Sequence, residues 1–185
     1  YTDLKDSYIS HEETLRYAGA LEGARIRIRW LEAPDLEDAD STKALDGVSG
    51  VLVPGGFGSR GAEGKIMAAR WARENKVWVL SDLAYSELYY DGKPTRSILE
   101  VPGAKEIAVE FTSMSKTYSM AGWRMGFAVG NPKLIAALTR VKSYLDYGAF
   151  TPIQAAACAA LNGPQDIVEE NRLRYQRRRD VMVES

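Results

Sequence analysis

Cysteine and histidine are almost missing from these 185 residues, which hold one of each, Cys158 and His11. A lone cysteine cannot close a disulfide within the chain, which fits a reducing compartment. A lone histidine removes most histidine-based metal centres, so no metal site is expected. A Cys–His pair would need two distant residues, one in an alanine-rich run and one beside a helix start. Net charge is also lacking, at −1, so nothing draws the chain to nucleic acid or to an anionic membrane. No apolar run approaches the roughly eighteen residues of a membrane span, and the start shows no signal-peptide pattern. Neither nucleic acid nor membrane is expected as a partner.

What is present suits a globular α/β chain. Hydrophobic residues make up 45% and charged residues 26%, enough to bury a core, and the length suggests one domain or slightly more. Ser10 with Glu13 reads as a capping box for a helix to about Leu21, with Leu15, Tyr17, Ala18 and Leu21 inward and Gly23 as its stop. Arg25–Leu31 alternates, with Ile26, Ile28 and Trp30 facing one way and Arg25, Arg27 and Arg29 the other, as in a half-buried strand. Residues 32–46 are acidic and loop-like. Strands are expected near 25–31, 48–53, 76–81, 106–112 and 124–129, mostly alternating with helices. The fold class is therefore a three-layer Rossmann-like α/β sandwich with a mostly parallel sheet of about five strands. The last strand follows its predecessor too closely for a parallel crossover, so it is expected to be antiparallel.

Further helices are expected over about 62–75, from Asn131-Pro132 to about Leu145, over 153–161 behind a Thr151-Pro152 cap, and over 165–185. In the helix after Pro132 the inner stripe is Leu134, Ile135, Leu138, Val141 and Leu145. Asp91-Gly92-Lys93-Pro94 reads as a turn. Arg177, Arg178 and Arg179 lie near the end of the last helix, where cations suit the helix dipole; a solvated face is preferred there over a binding patch.

The chemistry concentrates at strand ends. The run Ile107–Phe111 leads into Thr112, Ser113, Met114, Ser115 and Lys116. A lysine among small hydroxyl residues past a strand end is well placed to attack a carbonyl. Arg124, eight residues on, can clamp an anion bidentately. Upstream, Lys76–Leu80 ends in Ser81, Asp82, Leu83, Ala84 and Tyr85, and open α/β sheets bind ligands at such ends. Alone, Ser-x-Ser-Lys more often marks a solvated loop lysine. Together, Asp82, Tyr85, Lys116 and Arg124 suit a pyridoxal phosphate site. The aspartate would keep the pyridine nitrogen protonated, the tyrosine would bond the ring oxygen, the lysine would take the aldehyde and the arginine the phosphate. A second candidate is the loop after Val48–Val53. Gly55, Gly56, Phe57 and Gly58 could turn backbone N–H groups into a concavity at a helix start, as an oxyanion or anion site. A plain tight turn fits that loop as well.

From about Val77 onward the chain resembles the class I/II, fold-type I aminotransferases, in the texts SDLAYSELYYDGKPTRSIL, VEFTSMSKTYSMAGWRMGFAVGNPKLIAAL and YGAFTPIQAA. It is similar to the LL-diaminopimelate or alanine aminotransferase group. The resemblance places Lys116 on the Schiff-base lysine, Asp82 on the pyridinium partner, Tyr85 on the ring-hydroxyl partner, and Ser113 and Arg124 on phosphate ligands. From Tyr1 to about Lys76 the chain resembles the glutamine amidotransferase domain of CTP synthase, in YTDLKDSYISHEETLRYAG and VLVPGGFGSRGAEGKIMAARWARENK. There Gly55–Gly58 would be the oxyanion loop. The Gly-x-Cys-Leu-Gly nucleophile turn and His-x-Glu pair of that family do not follow, and neither Cys158 nor His11 matches them. Its first strand would precede Tyr1.

The chain is thus expected to be one α/β domain over 1–185, built from an amidotransferase-like segment (1–76) and an aminotransferase-like segment (77–185) joined near 71–80. No linker separates them, which reads as an engineered chimera. The resemblance also implies gaps. The aminotransferase phosphate-binding helix start, ring-stacking aromatic, ring-oxygen asparagine and small-domain arginine have no counterpart. With both sites incomplete, no catalytic function is expected, since transamination depends on positioning. The alternative is residual pyridoxal phosphate binding, expected to be weak, or weak aminotransferase-type activity through Lys116. Surfaces left by missing domains suggest self-association, and both parental families imply a cytoplasmic location.

Overall fold

The computed structural model describes residues 5–184. A 3-10 turn at Lys5–Tyr8 leads into α1, Ile9–Leu21. The expected capping box is not formed. Tyr8 occupies the cap position without a side-chain bond, and Ser10 lies inside the helix, where its carbonyl accepts the Thr14 hydroxyl at 2.7 Å. The expected inner face is open as well: Tyr17 and Leu21 are 70% and 87% exposed, and the one buried residue of α1 is Gly19. The neighbour of α1 is the extended segment after it, with Ile26 against Gly19, and Leu15 alone of the expected stripe is half-buried.

Four strands form the sheet in the order β1-β2-β3-β4 among the described residues. They are β1 (Gly50–Val53), β2 (Trp78–Asp82), β3 (Ala108–Ser113) and β4 (Gly126–Gly130). The first three run parallel and β4 is antiparallel to β3, as its short connection requires. The expected strand at 25–31 does not join. Its backbone has no ladder partner, and a cavity of about 1140 Å3, lined by Ile28 and Trp30 on one side and by Leu52, Trp78 and Leu80 of β1 and β2 on the other, separates it from the sheet. The alternation of arginine with Ile28 and Trp30 survives as exposed against half-buried side chains. Periodicity reports the faces of an extended segment, and says nothing of its neighbour.

The helix α2 (Ala62–Asn75) connects β1 to β2. It opens after Gly61 (φ 69°) and closes on Lys76 (φ 56°), both left-handed. Its inner residues Ile66, Ala69 and Ala72 pack with Val53, Val79, Ile98, Val101, Ala104 and Ala108 into the main core, which draws on both sides of the 71–80 joint. Each large side chain buried there is worth about 1.5–3 kcal/mol. Within this core lies one carboxylate. Glu110 on β3 is 7% exposed and accepts from the Ser97 hydroxyl at 2.6 Å, the Ile98 N–H at 3.1 Å and the Ser81 hydroxyl at 3.3 Å. These bonds make burial of the group tolerable and pin the Ser97–Ile98 turn onto β2 and β3.

Past β3 come the single-turn α3 (Met114–Thr117), then α4 (Pro132–Leu145), α5 (Thr151–Asn162) and α6 (Asp166–Glu184). Asn131 caps α4 by accepting the Lys133 N–H at 2.8 Å, with Pro132 in the first turn, as expected. Leu134, Ile135 and Leu138 are half-buried, but Val141 and Leu145 are exposed, as is most of α5. Thr151 does not cap α5; Phe150 holds that position with no side-chain bond. No helix among the described residues is long and apolar enough to cross a membrane.

The charged helix α6 is docked through its polar groups. Buried Asn171 donates to the Thr117 carbonyl at 3.2 Å. Arg172 lies over the Tyr89 ring at 4.8 Å. Arg179 grips Asp91 with both nitrogens, at 2.6 and 3.0 Å, and lies over the Tyr90 ring at 4.7 Å. Asp91 sits in the expected turn, where Asp91 and Gly92 both have positive φ. The hydrogen bond from Arg179 holds the Asp91 carboxyl below the usual carboxylate range.

Two outcomes follow for stability. A methyl at Gly64 would run into the Ala33 carbonyl, a rigid backbone contact, so Gly64→Ala should destabilise the chain by about 3 kcal/mol in a denaturant titration. For Asp91, a depressed carboxyl stabilises above its unfolded value and loses that effect as pH falls through the folded value. The melting temperature should therefore drop between about pH 5 and about pH 3, by less in Asp91→Asn; equal drops would show that the Arg179 grip carries none of this dependence.

Candidate functional site

Register builds the site. Val53 pairs with Ser81 across β1 and β2, and Asp82 with Phe111 across β2 and β3. Three parallel strands therefore release their chains at one edge, and each release carries a predicted residue. From β1 comes Pro54 and the glycine-rich loop, from β2 comes Asp82 and the turn bearing Tyr85, and from β3 comes Ser113 and α3.

Asp82 is fixed at one oxygen, where Oδ1 accepts the Ala84 N–H at 3.1 Å. Its other oxygen faces Gly55, and a Cβ on Gly55 would sit 2.8 Å from Oδ2. Only glycine leaves that carboxylate its place. Ser113 caps α3, its hydroxyl accepting the Ser115 N–H at 3.1 Å, which sets the first turn from which Lys116 projects. The Lys116 ammonium lies 5.8 Å from the centre of the Tyr85 ring, a cation–π distance. Just beyond, the Tyr118 phenol is pushed up by burial and by the charge of Glu87. It stays protonated and donates to Gln165 at 2.7 Å.

The structure thus brings Asp82, Tyr85, Ser113 and Lys116 to one strand-end edge, with Gly55 and Phe57 against them. Phe57 meets Tyr85 edge-on at 5.8 Å and 84°. Arg124 stands apart in its contacts. It has a left-handed backbone (φ 53°) and turns Nη1 onto the Ala121 carbonyl at 3.0 Å. Its segment is nonetheless close, because Gly126 pairs with Ser113 and the Met114 N–H donates to the Met125 carbonyl.

Sequence reasoning missed Tyr90, Asn171 and Arg179, which support this edge from behind. Asn171 is one polar residue in a charged helix, and nothing in its spacing marks it. Arg179 was read as part of a solvated face, because a run of three arginines hides the one with a partner. The Phe57 contact was equally invisible, since it joins residues on either side of the 71–80 joint. Among the described residues no group of three or more histidine, cysteine, aspartate or glutamate side chains could hold a metal ion.

Comparison with known proteins agrees with this geometry. The family model "Aminotransferase class I and II" matches residues 65–185, and "Glutamine amidotransferase class-I" matches residues 3–81. The chain is 70% identical over 115 residues to "Putative aminotransferase AatC" of Rhizobium meliloti, covering 62% of this chain and 28% of that protein. It is 55% identical over 112 residues to "Glutamate-pyruvate aminotransferase AlaC" of Escherichia coli, covering 60% and 27%. Among solved structures, substrate-bound BacF from Bacillus subtilis superposes with a TM-score of 0.63 at 34% identity, over 77% of this chain and 36% of that one. An aminotransferase from Staphylococcus aureus gives 0.62 at 30% identity, over 75% and 38%. The chain therefore spans less than a third of the length of these curated relatives. These relatives, named as aminotransferases and up to 70% identical, overturn the expectation of a chain without catalytic function, and the family model's match holds Asp82, Tyr85, Ser113, Lys116 and Arg124. By its matched residues and by the strand-end edge they build, the chain belongs to the class I and II aminotransferases.

Proposed function

We propose that this chain supports aminotransferase-type chemistry with pyridoxal phosphate bonded through Lys116. The observation that carries this reading is the convergence of Lys116, Tyr85 and Asp82 at adjacent parallel strand ends, with Lys116 over the Tyr85 ring. The residues fit the cofactor on two counts. The donor set is a primary amine, a carboxylate, a phenol, a hydroxyl and a guanidinium. Gly55 also leaves the Asp82 carboxylate its place at the strand end, since a Cβ there would come within 2.8 Å of Oδ2. When bound, pyridoxal phosphate supplies an aldehyde for amino groups and a ring that draws electrons from the captured carbon.

The chain's own residues have separable tasks in this reading. Lys116 is the amine that holds the aldehyde and the base available to move a proton at the substrate carbon. Asp82, with one oxygen immobilised by Ala84, is the carboxylate that would accept the N–H of the protonated ring nitrogen. Tyr85 presents its phenol to the ring oxygen. Ser113 and Arg124 are the phosphate ligands, and Arg124 must release Ala121 to serve. Residues 1–185 act as one domain in this reading, in the cytoplasm. The chain also associates with a second copy through the exposed segment that holds Tyr144, Leu145, Tyr147 and Phe150, of which Tyr147 is 93% exposed; such patches favour association.

Titration with pyridoxal phosphate, borohydride fixation and peptide mapping test the first claim. Label should saturate on Lys116 and vanish in Lys116→Ala. Label spread over many lysines without saturation would sink the reading. For the second claim, light scattering should give a mass above one chain that falls toward one chain in the double variant Tyr147→Ser, Phe150→Ser; a single-chain mass in the unaltered protein would remove it.

A further inference from the structure

Tyr85 is held by its neighbours and not by its backbone. It lies in the turn after β2, residues 84–87, outside any strand or helix. The backbone bonds there run from the Ser86 N–H to the Leu83 carbonyl at 3.3 Å and from the Leu88 N–H to the Tyr85 carbonyl at 3.1 Å. They fix the path of the chain, while the ring orientation depends on what the ring touches. On one side is the Lys116 ammonium at 5.8 Å, and on another is the edge of Phe57 at 5.8 Å and 84°.

Phe57 is itself braced. It tilts against Tyr90 at 5.0 Å and 56°, and Tyr90 lies under the Arg179 guanidinium at 4.7 Å. Arg179 is gripped in turn by Asp91. A continuous series of cation–ring and ring–ring contacts therefore runs Arg179, Tyr90, Phe57, Tyr85, Lys116. It begins on α6, passes through the glycine-rich loop of the amidotransferase-like segment, and ends on the lysine. Edge-on and tilted ring pairs in this distance range have directional preference beyond simple burial, so each ring constrains the next. The same loop meets the site a second time, where Gly55 borders the Asp82 carboxylate.

We propose that Phe57 is a positioning residue of the Lys116 site. It holds the Tyr85 ring where that ring meets Lys116, and so sets both groups for a carbonyl ligand. The claim that a ligand is bound rests on the pyridoxal phosphate reading above; the claim that Phe57 orients Tyr85 does not. Phe57 belongs to the residues that match the amidotransferase model and not the aminotransferase model, so this role comes from the way the two segments pack together.

Two measurements on the full chain separate the claims. The first is nitration of tyrosines with tetranitromethane in the protein without added cofactor, mapped by peptide mass spectrometry, with Tyr17 on α1, 70% exposed, as internal reference. Phe57→Leu keeps an apolar side chain but removes the ring. It should raise Tyr85 nitration about fivefold relative to Tyr17, and Phe57→Tyr should restore the original ratio. The second is the pyridoxal phosphate concentration giving half-maximal borohydride-fixed label on Lys116, which should rise about fivefold in Phe57→Leu and return in Phe57→Tyr. An unchanged Tyr85 ratio in folded Phe57→Leu overturns the proposal whatever the label does. Should Phe57→Leu not fold, Tyr90→Leu removes the brace behind Phe57. Tyr85 nitration should rise there too, and no rise overturns the proposal. Absence of saturable label in the unaltered protein would defeat the pyridoxal phosphate reading alone, with the nitration ratio still deciding the role of Phe57.

Discussion

Parallel pairing of β1, β2 and β3 is the constraint on which the rest depends. Because Val53 aligns with Ser81 and Asp82 with Phe111, three chain segments leave the sheet at one edge, within a strand spacing of each other. A slip of one residue in β2 would turn Asp82 to the opposite face and bury or expose the wrong set. The buried partners of that register are Val79 and Ala108, both fully buried, and Ser81, which reaches Glu110. The Glu110 carboxylate with its three donors thus ties the site's two strands to the Ser97–Ile98 turn. A buried polar group satisfied in one arrangement only selects against alternatives.

Glycine and small residues then decide how closely the layers approach. Ala69 and Ala72 bring α2 down onto the sheet, and Gly64 admits the Ala33 carbonyl. Gly130 lies so near the Ala108 carbonyl that a side chain there has no room. These contacts are backbone against backbone and cannot adapt. The contact of Gly55 with Asp82 differs, because its partner is the mobile end of a side chain. A methyl at Gly55 would shift a carboxylate and leave the fold in place, so this glycine bears on the site more than on stability.

Much of this was legible in the sequence. The bounds of α2 and α4, the antiparallel β4 and the Asp91-Gly92 turn each carry a local signal: a glycine before the helix, an Asn-Pro start, a short connection, a pair of positive-φ positions. The grouping of Asp82, Tyr85, Ser113 and Lys116 was also legible, since strand ends of a parallel sheet share an edge. What failed needed long-range knowledge. The alternation at 25–31 described an extended segment truly, but pairing depends on which edge is within reach. The Ser10 box had the right residues at the right spacing, yet the helix began two residues earlier, behind Tyr8, and placed Ser10 inside. In α1 and α4 the apolar stripes described real helices, yet Tyr17, Leu21, Val141 and Leu145 on them stay exposed. The Arg179–Asp91 pair spans 88 residues and has no signature that distinguishes it from Arg177 or Arg178.

The meeting of a glycine-rich loop with a lysine site from another family has a simple physical basis. An open parallel sheet offers the same environment at every strand end: free backbone groups, a helix start and room for a ligand. A strand of the right length and twist can take its place beside β2 whatever family it comes from, because the ladder reads backbone and not side chains. What the loop then brings is specific. Gly55 lets the chain pass close to Asp82 without a clash, and Phe57 places one rigid ring with few torsions to restrain against Tyr85. A longer or charged side chain at 57 would lose more freedom on packing and would bring no matching edge to the Tyr85 ring. The site edge is in this sense composite: the reactive groups belong to the aminotransferase segment, and part of their alignment is supplied by the segment that precedes it.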